Sequence, residues 1–407
     1  MLDVPFMKPS VPKLSTLAQE LKEIEENNIY SNYGPINTRF ENALIQDVFS
    51  GTGECMTVCN ATIGLMLAMK YATRNHRARR VRYALMPSFT FAAAAHAAIW
   101  AGFTPLFCDI DPQDWSASRA AEEAMFQQYG SAIQLVVPYA TFGNSIDLDY
   151  YDDLHRRTGA AIVIDAAASL GALDNDGKAF GTGFPHPVVY SMHATKTFCI
   201  GEGGLIYAAD PEAIATMRAM GNFGFEQPRS ASVLGLNSKL TEVSALVGLE
   251  FLKSFEKNAE HREALALAYR HELRDFNLQK PHGDRGSYQF MPVLLPDDLP
   301  ISRAEVQARL KTMGIQTASY FSPHCMAQPF FMANGVAGSL RVTDHVASHV
   351  ITLPLWSEMT IGMVQGVSQA LIEVCASATR TPMPKLAPAI TAAQETTPFP
   401  IVRSLTA

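Results

Sequence analysis

Seven short apolar runs mark the first half of this chain: Met56–Cys59, Tyr83–Met86, Pro105–Asp109, Leu135–Pro138, Ala161–Asp165, Val188–Ser191 and Gly204–Ala208. Helical stretches such as Ala61–Tyr71, Phe91–Trp100 and Asp149–Thr158 separate several of them. A strand apolar on both faces has to be covered on both faces. Runs of this kind alternating with helices therefore predict a mainly parallel, seven-stranded sheet flanked by helices, an α/β fold.

The rest of the chain divides around that sheet. Residues 1–50 form a lead-in with a polar helix at Leu14–Glu26, the turn Tyr30-Ser-Asn-Tyr33-Gly34-Pro35 and a helix from Thr38 towards Phe49. The large domain occupies residues 50–250. A long amphipathic helix from Leu240 to Glu272 links it to a smaller α+β C-terminal domain over residues 251–378, with helices at Arg303–Met313 and Thr360–Ala376. From residue 379 to 407 the chain is rich in Pro, Thr and Ala without periodicity, which predicts a mobile tail.

Composition excludes some functions. With 407 residues, 48% hydrophobic and 17% charged, the chain can bury two cores. A formal charge of −7 gives no general attraction to nucleic acid or to an anionic membrane. The apolar runs fall short of the roughly 18–20 residues that span a bilayer, and no charged-then-apolar leader opens the chain. The six cysteines are scattered; Cys55 and Cys59 lie close together but no second Cys or His pair follows at ligand spacing, so no metal site is expected and buried thiols are. A reducing cytoplasm is the expected location.

The chemistry concentrates at the predicted strand ends, where an open parallel sheet binds ligands. Lys196 sits in Ser191-Met-His193-Ala-Thr-Lys196-Thr-Phe-Cys-Ile-Gly-Glu202-Gly-Gly204, and Asp165 ends the run Ala160-Ala-Ile-Val-Ile-Asp165. A buried lysine can form a Schiff base with an aldehyde cofactor, and an Asp can hold a pyridinium nitrogen protonated; the pair describes a pyridoxal 5′-phosphate site. Asn60 is a good N-cap for a helix opening at Ala61-Thr62, whose free N–H groups suit a phosphate, with the Thr62 and Ser191 hydroxyls as added donors. Phe91, in Pro87-Ser-Phe-Thr-Phe91, can stack on a flat ring or fill core. His193 is a candidate to touch phosphate or substrate, the alternative being a packed core histidine, and Glu202 a candidate to assist the acceptor. The glycines at 201, 203 and 204 permit close backbone approach without the spacing of a phosphate loop.

With those residues in order, the chain resembles the DegT/StrS family of aminotransferases, within fold-type I pyridoxal phosphate enzymes, over nearly all of residues 5–376. The resemblance rests on Ser31-Asn-Tyr-Gly-Pro35, Asn60-Ala-Thr62, Met86-Pro-Ser-Phe-Thr-Phe91, Ala101-Gly-Phe-Thr-Pro-Leu-Phe107 with Asp109 and Asp111, Ile164-Asp-Ala-Ala167 with Leu170-Gly171, and Ser191–Gly204. Gly235-Leu-Asn237, Tyr320 and Leu353-Pro354 extend it. It implies that Lys196 bonds the cofactor, Asp165 partners the pyridine nitrogen, Phe91 stacks on the ring, and Ala61, Thr62 and Ser191 hold the phosphate. Asn237 would reach the phosphate of the neighbouring subunit in a homodimer, and Tyr33, Gly34 and Tyr320 would meet substrate. The implied reaction moves an amino group, commonly from glutamate, to a keto group on a nucleotide-linked sugar.

Three positions depart from the family pattern. Ala168 stands where His or Gln is usual, Tyr139-Ala140 where Val-His is usual after Pro138, and Lys239 where Arg is usual. Ala168 removes a donor near the ring, so either another side chain, Tyr139 for one, fills the space or the substrate differs. Other pyridoxal phosphate chemistry (dehydration, racemisation, amination of a non-sugar ketone) and a non-catalytic regulator keeping the fold are the alternatives.

Overall fold

The computed structural model describes residues 3–76 and 79–380. Among the described residues the strands, in chain order, are β1 Glu54–Val58, β2 Tyr83–Pro87, β3 Thr104–Cys108, β4 Ile133–Val136, β5 Ala161–Ile162, β6 Ile164–Asp165, β7 Val188–Ser191, β8 Gly204–Ala208, β9 Phe225–Gln227, β10 Ser230–Ala231, β11 Asn277–Leu278, β12 Met291–Leu294, β13 Val336–Ala337 and β14 Val350–Leu353. The helices are α1 Ala18–Asn27, α2 Pro35–Ala43, α3 Ala61–Ala72, α4 Ala92–Trp100, α5 Arg119–Tyr129, α6 Leu148–Thr158, α7 Pro211–Met220, α8 Glu242–Leu252, α9 Phe255–Glu272, α10 Arg303–Thr312, α11 Pro329–Asn334, α12 Arg341–His349 and α13 Ile361–Arg380.

Where the sequence predicts one sheet of seven strands, the chain forms a five-stranded parallel sheet, β13-β3-β2-β4-β5, and a four-stranded one, β1-β8-β7-β6. In the second, β8 is antiparallel to both neighbours, while β6 and β7 are parallel. The two sheets meet along residues 161–165, since β5 pairs with β4 and β6, one residue further on, pairs with β7. The edge strand β13 comes from far along the chain; two residues leave too little periodicity to find it.

Both faces are covered, as the doubly apolar strands require. One core packs Phe40, Phe49, Tyr190, Tyr207 and Phe198 against the helices α2 and α8, and a second packs Met56, Leu65, Met86, Phe107 and Met217 under α3, α4 and α7. Helix α3 is apolar almost all round because it lies between strands and other helices. A third core, around Leu265, Tyr269, Val293, Leu310, Ile351 and Leu371, belongs to the antiparallel sheet β11-β12-β14 and the helices α9, α10 and α13.

Three differences from the sequence reading have local causes. The predicted linking helix is two helices, broken at Lys253-Ser254, where Ser254 leaves helical geometry and its hydroxyl bonds the Phe251 carbonyl at 3.3 Å. The polar helix near the start begins at Ala18 after a single tight turn, Leu14–Thr16. The closing helix α13 runs through Arg380, beyond Ala376, and residues 361–379 are long and apolar enough, by length and composition, to cross a membrane. One face of it, Val364, Val367, Ala370, Leu371 and Val374, is buried in the third core, while Gln365, Gln369 and Glu373 lie outside that core, the pattern of an amphipathic core helix. The tail expected from residue 379 falls, from 381 on, outside the described residues.

Candidate active site

A cavity of about 680 Å³ opens at the ends of β2, β6 and β7. Asn60, Ala61 and Thr62 form one end of it, Asp165 and Ala167 the floor, and Ser191, His193, Lys196 and Glu202 one wall. Phe91, Tyr139, Phe290, Tyr320 and Phe321 supply the aromatic side.

The two ionisable groups at its centre are perturbed in opposite directions by one cause. Burial pulls the Lys196 amine down to about 8, with the negative charge of Asp165 opposing. Burial pushes the Asp165 carboxyl up to about 6, against a hydrogen bond from the Ala167 N–H to Oδ1 (3.1 Å) and the positive charge of Lys196. A carboxylate held this deep gains from a cation in contact with it.

Lys196 Nζ donates to Gln289 Oε1 at 3.2 Å, and Gln289 Nε2 donates to the Thr195 carbonyl at 3.3 Å. Gln289 precedes β12 and is fixed from behind by the buried Arg262 of α9. That guanidinium donates to the carbonyls of Tyr288 (2.6 Å), Gln289 (3.0 Å) and Leu355 (2.8 Å). Nothing near Lys196 in sequence points to residue 289, ninety-three positions away. The one cue, a Gln just before the apolar run Phe290-Met291-Pro292-Val293, is too common to single out.

At the other end, Asn60 Oδ1 accepts from Ile63 N at 3.0 Å, capping α3. The first-turn N–H groups of Ala61 and Thr62 remain at the positive end of the helix. Gly204 makes this end possible: a Cβ there would stand 2.7 Å from Ala61 N and 2.9 Å from Asn60 C. Ser191 Oγ lies alongside, accepting from His193 N at 3.3 Å.

His193 and Glu202 also meet, Nε2 to Oε1 at 3.5 Å, and His193 Nδ1 contacts Thr195 Oγ1 at 2.8 Å. Phe91 is 59% exposed at the start of α4 and turns its ring towards Phe321 across the cavity, whereas Phe89 is fully buried core. Ala168 is buried but does not line the cavity; its carbonyl accepts from the Ser287 hydroxyl, and Tyr139 and Gln289 are the side chains that reach the cavity nearby.

Three residues marked in the sequence stand elsewhere in this chain. Gly34 is buried at the start of α2, where a Cβ would strike the Glu242 carboxyl at 2.7 Å; that carboxylate accepts from Ile36 N (2.8 Å) and Asn37 N (3.0 Å). Tyr33 packs under Arg218, which is itself bound to Glu41 (2.9 Å) and the Cys55 carbonyl (3.1 Å). Asn237 is exposed, bridging by its backbone to Asn222. Met7, from the lead-in, lines the cavity and was not marked.

The model of the DegT/DnrJ/EryC1/StrS aminotransferase family matches residues 14–372. The chain belongs to that family. Protein Rv3402c of Mycobacterium tuberculosis (strain ATCC 25618 / H37Rv) is 30% identical over 375 residues, covering 91% of this chain and 90% of that protein. The dTDP-4-amino-4,6-dideoxy-D-glucose transaminase of Shigella dysenteriae is 27% identical over 373 residues, 90% of this chain and 98% of that enzyme. A solved structure from Bacillus cereus ATCC 10987, described as a candidate PLP-dependent aminotransferase, superposes with a TM-score of 0.84 at 37% identity, covering 91% of this chain and all of that one. The protein is a pyridoxal phosphate-dependent aminotransferase of this family.

The cavity fits that cofactor. It holds an amine for an aldehyde, a buried carboxyl short of a cation for the ring nitrogen, and a helix N-terminus whose Gly204 neighbour leaves room for a phosphate.

Proposed function

We propose that this chain transfers an amino group, from glutamate as donor, to a keto group on a nucleotide-linked hexose. The observation that carries the proposal is the meeting of Lys196 and Asp165, some thirty residues apart in sequence, in one cavity that ends at the Asn60-capped helix. The sugar class is supported by the named Shigella dysenteriae relative, which acts on a dTDP-linked amino sugar.

Bound pyridoxal phosphate supplies an aldehyde and a ring that accepts electrons. Asp165 would hold the ring nitrogen protonated, and that ion pair would relieve the cost of burying the carboxylate. Ala61 and Thr62 N–H groups and the hydroxyls of Thr62 and Ser191 would hold its phosphate, and Phe91 would stand against its ring. Lys196 Nζ would be the base that takes the Cα proton of the amino substrate; an amine lowered to about 8 is half free of its proton at about that pH, where an ordinary lysine is almost wholly charged. Gln289 holds that nitrogen in place meanwhile. His193, Glu202 and Tyr320 line the acceptor side.

Asn237, exposed in the single chain, belongs in the proposal to the face presented to a second subunit, completing the partner's phosphate site. In the proposal residues 50–250, which carry strands β1–β8, form the cofactor-binding unit, and 251–378 the smaller one, which lends β13 to the edge of the parallel sheet. A cytoplasmic enzyme acting on free small molecules, without nucleic acid or membrane, is the setting.

The purified holoenzyme tests this: incubated with glutamate and a dTDP-linked 4-keto-hexose, it makes 2-oxoglutarate and the amino sugar in equal amounts. If the glutamate half-reaction proceeds and no keto-sugar accepts the amino group, the sugar assignment fails. If no amino donor discharges, the transamination assignment fails.

A further inference from the structure

Helix α12 carries His345 and His349 one turn apart, both on the side that faces Asp297 in the turn after β12. His345 Nε2 is 3.5 Å and His349 Nε2 3.6 Å from the same oxygen, Asp297 Oδ1, and the three atoms lie within 4.8 Å of one another. The two backbones are already tied, since Leu295 N donates to the His349 carbonyl at 3.1 Å.

The hydrogen bonding of His349 decides what faces Asp297. Its Nδ1 is 2.9 Å from the His345 carbonyl oxygen. A carbonyl only accepts, so Nδ1 carries the hydrogen, and in the neutral ring Nε2 is a bare lone pair. That lone pair stands 3.6 Å from a carboxylate oxygen, so two acceptors face one point where a positive charge, a proton or a metal ion, is favoured. An imidazole whose Nδ1–H is held by a backbone carbonyl and whose Nε2 is free is the oriented form in which His ligates metals.

Two of the three separations suit an ion. Bonds of about 2.0–2.1 Å at a tetrahedral centre place ligand atoms roughly 3.3 Å apart, close to the two His–Asp separations, and the two Nε2 atoms, within 4.8 Å, would draw together on binding. Two imidazoles and one carboxylate are ligands for zinc and its transition-metal neighbours, whereas calcium and magnesium take oxygen shells. We propose that Asp297, His345 and His349 form a surface site for a divalent transition-metal ion of the zinc class, with solvent completing the coordination. The ion would clamp the last turn of α12 to the turn after β12. The other end of α12 is anchored separately, its Val342 and Thr343 N–H groups donating to Asp109 at 3.0 and 2.7 Å. The site therefore lies outside the catalytic cavity and does not depend on how that cavity is used.

Calorimetric titration of the metal-free holoenzyme with zinc chloride tests it. One zinc per chain is expected, with affinity lowered about tenfold or more in each of Asp297→Asn, His345→Asn and His349→Gln. Zinc should raise the thermal unfolding midpoint of the wild type and leave that of Asp297→Asn in place. Absence of binding, or one site that all three variants retain at full affinity (zinc on another group such as Cys59), overturns the proposal.

Discussion

At the scale of single residues, Asp165 and Lys196 each carry a burial cost that the other lessens. In the cofactor-free chain the Asp165 carboxyl is raised from its ordinary value to about 6, so the native state keeps its proton where the unfolded chain has lost it. Stability contributed in this way is present below pH ~4 and is lost as pH rises towards 6. Asp165→Asn should therefore make the apoprotein more stable at pH 7, by roughly 2–3 kcal/mol, and flatten its stability between pH ~4 and 6. The same variant should bind cofactor far more weakly; denaturant melts of both forms check the two halves. Gln289 makes a different prediction. A carboxylate in its place raises the Lys196 amine, so Gln289→Glu moves the acidic, rising limb of the rate profile to higher pH, while Gln289→Leu lowers the rate without that displacement. A profile unmoved in Gln289→Glu would show that the 3.2 Å contact with Nζ does not set the base.

Among the elements, the strand ends do the placing. The pairing of Asp165 with Lys196 was legible because each closes or follows an apolar run, and sequence order on an α/β sheet brings strand ends together. Gln289, Met7 and the Arg262 brace were not legible: they arrive from a different domain or from the lead-in, and periodicity carries no information on which distant loops meet. Tyr33 and Gly34 were read as substrate residues from a motif, yet within one chain Gly34 serves the close approach of Glu242 to α2. The meeting of His345 and His349 with Asp297 was not legible either, since Asp297 lies almost fifty residues away. Gly204 offers a test at this scale. Gly204→Val would drive β8 from the first turn of α3, costing about 1–3 kcal/mol and weakening phosphate binding more than ring binding. Thermal melts and a comparison of pyridoxal with pyridoxal phosphate affinity separate those effects.

For the molecule as a whole, the sequence conveyed an α/β fold with a second, smaller core, and missed how its strands partition. A run such as Ala161–Asp165 looks like one strand, but it serves β4 at one end and β7 at the other. The exposure of Asn237 gives the dimer proposal a concrete form. If Asn237 completes the partner's site, mixing inactive Lys196→Ala protein with Asn237→Ala protein under conditions of subunit exchange restores activity, because one site in each mixed dimer is whole. No recovery, with mixed dimers demonstrated, places Asn237 outside the site.

The most direct test of the whole proposal is where the cofactor is attached. Borohydride reduction of the holoenzyme, followed by proteolysis and mass spectrometry, should find the reduced pyridoxyl phosphate group on the peptide carrying Lys196, and none on Lys196→Ala protein. A label on another lysine, or a wild-type Lys196 peptide without it, would contradict the assignment.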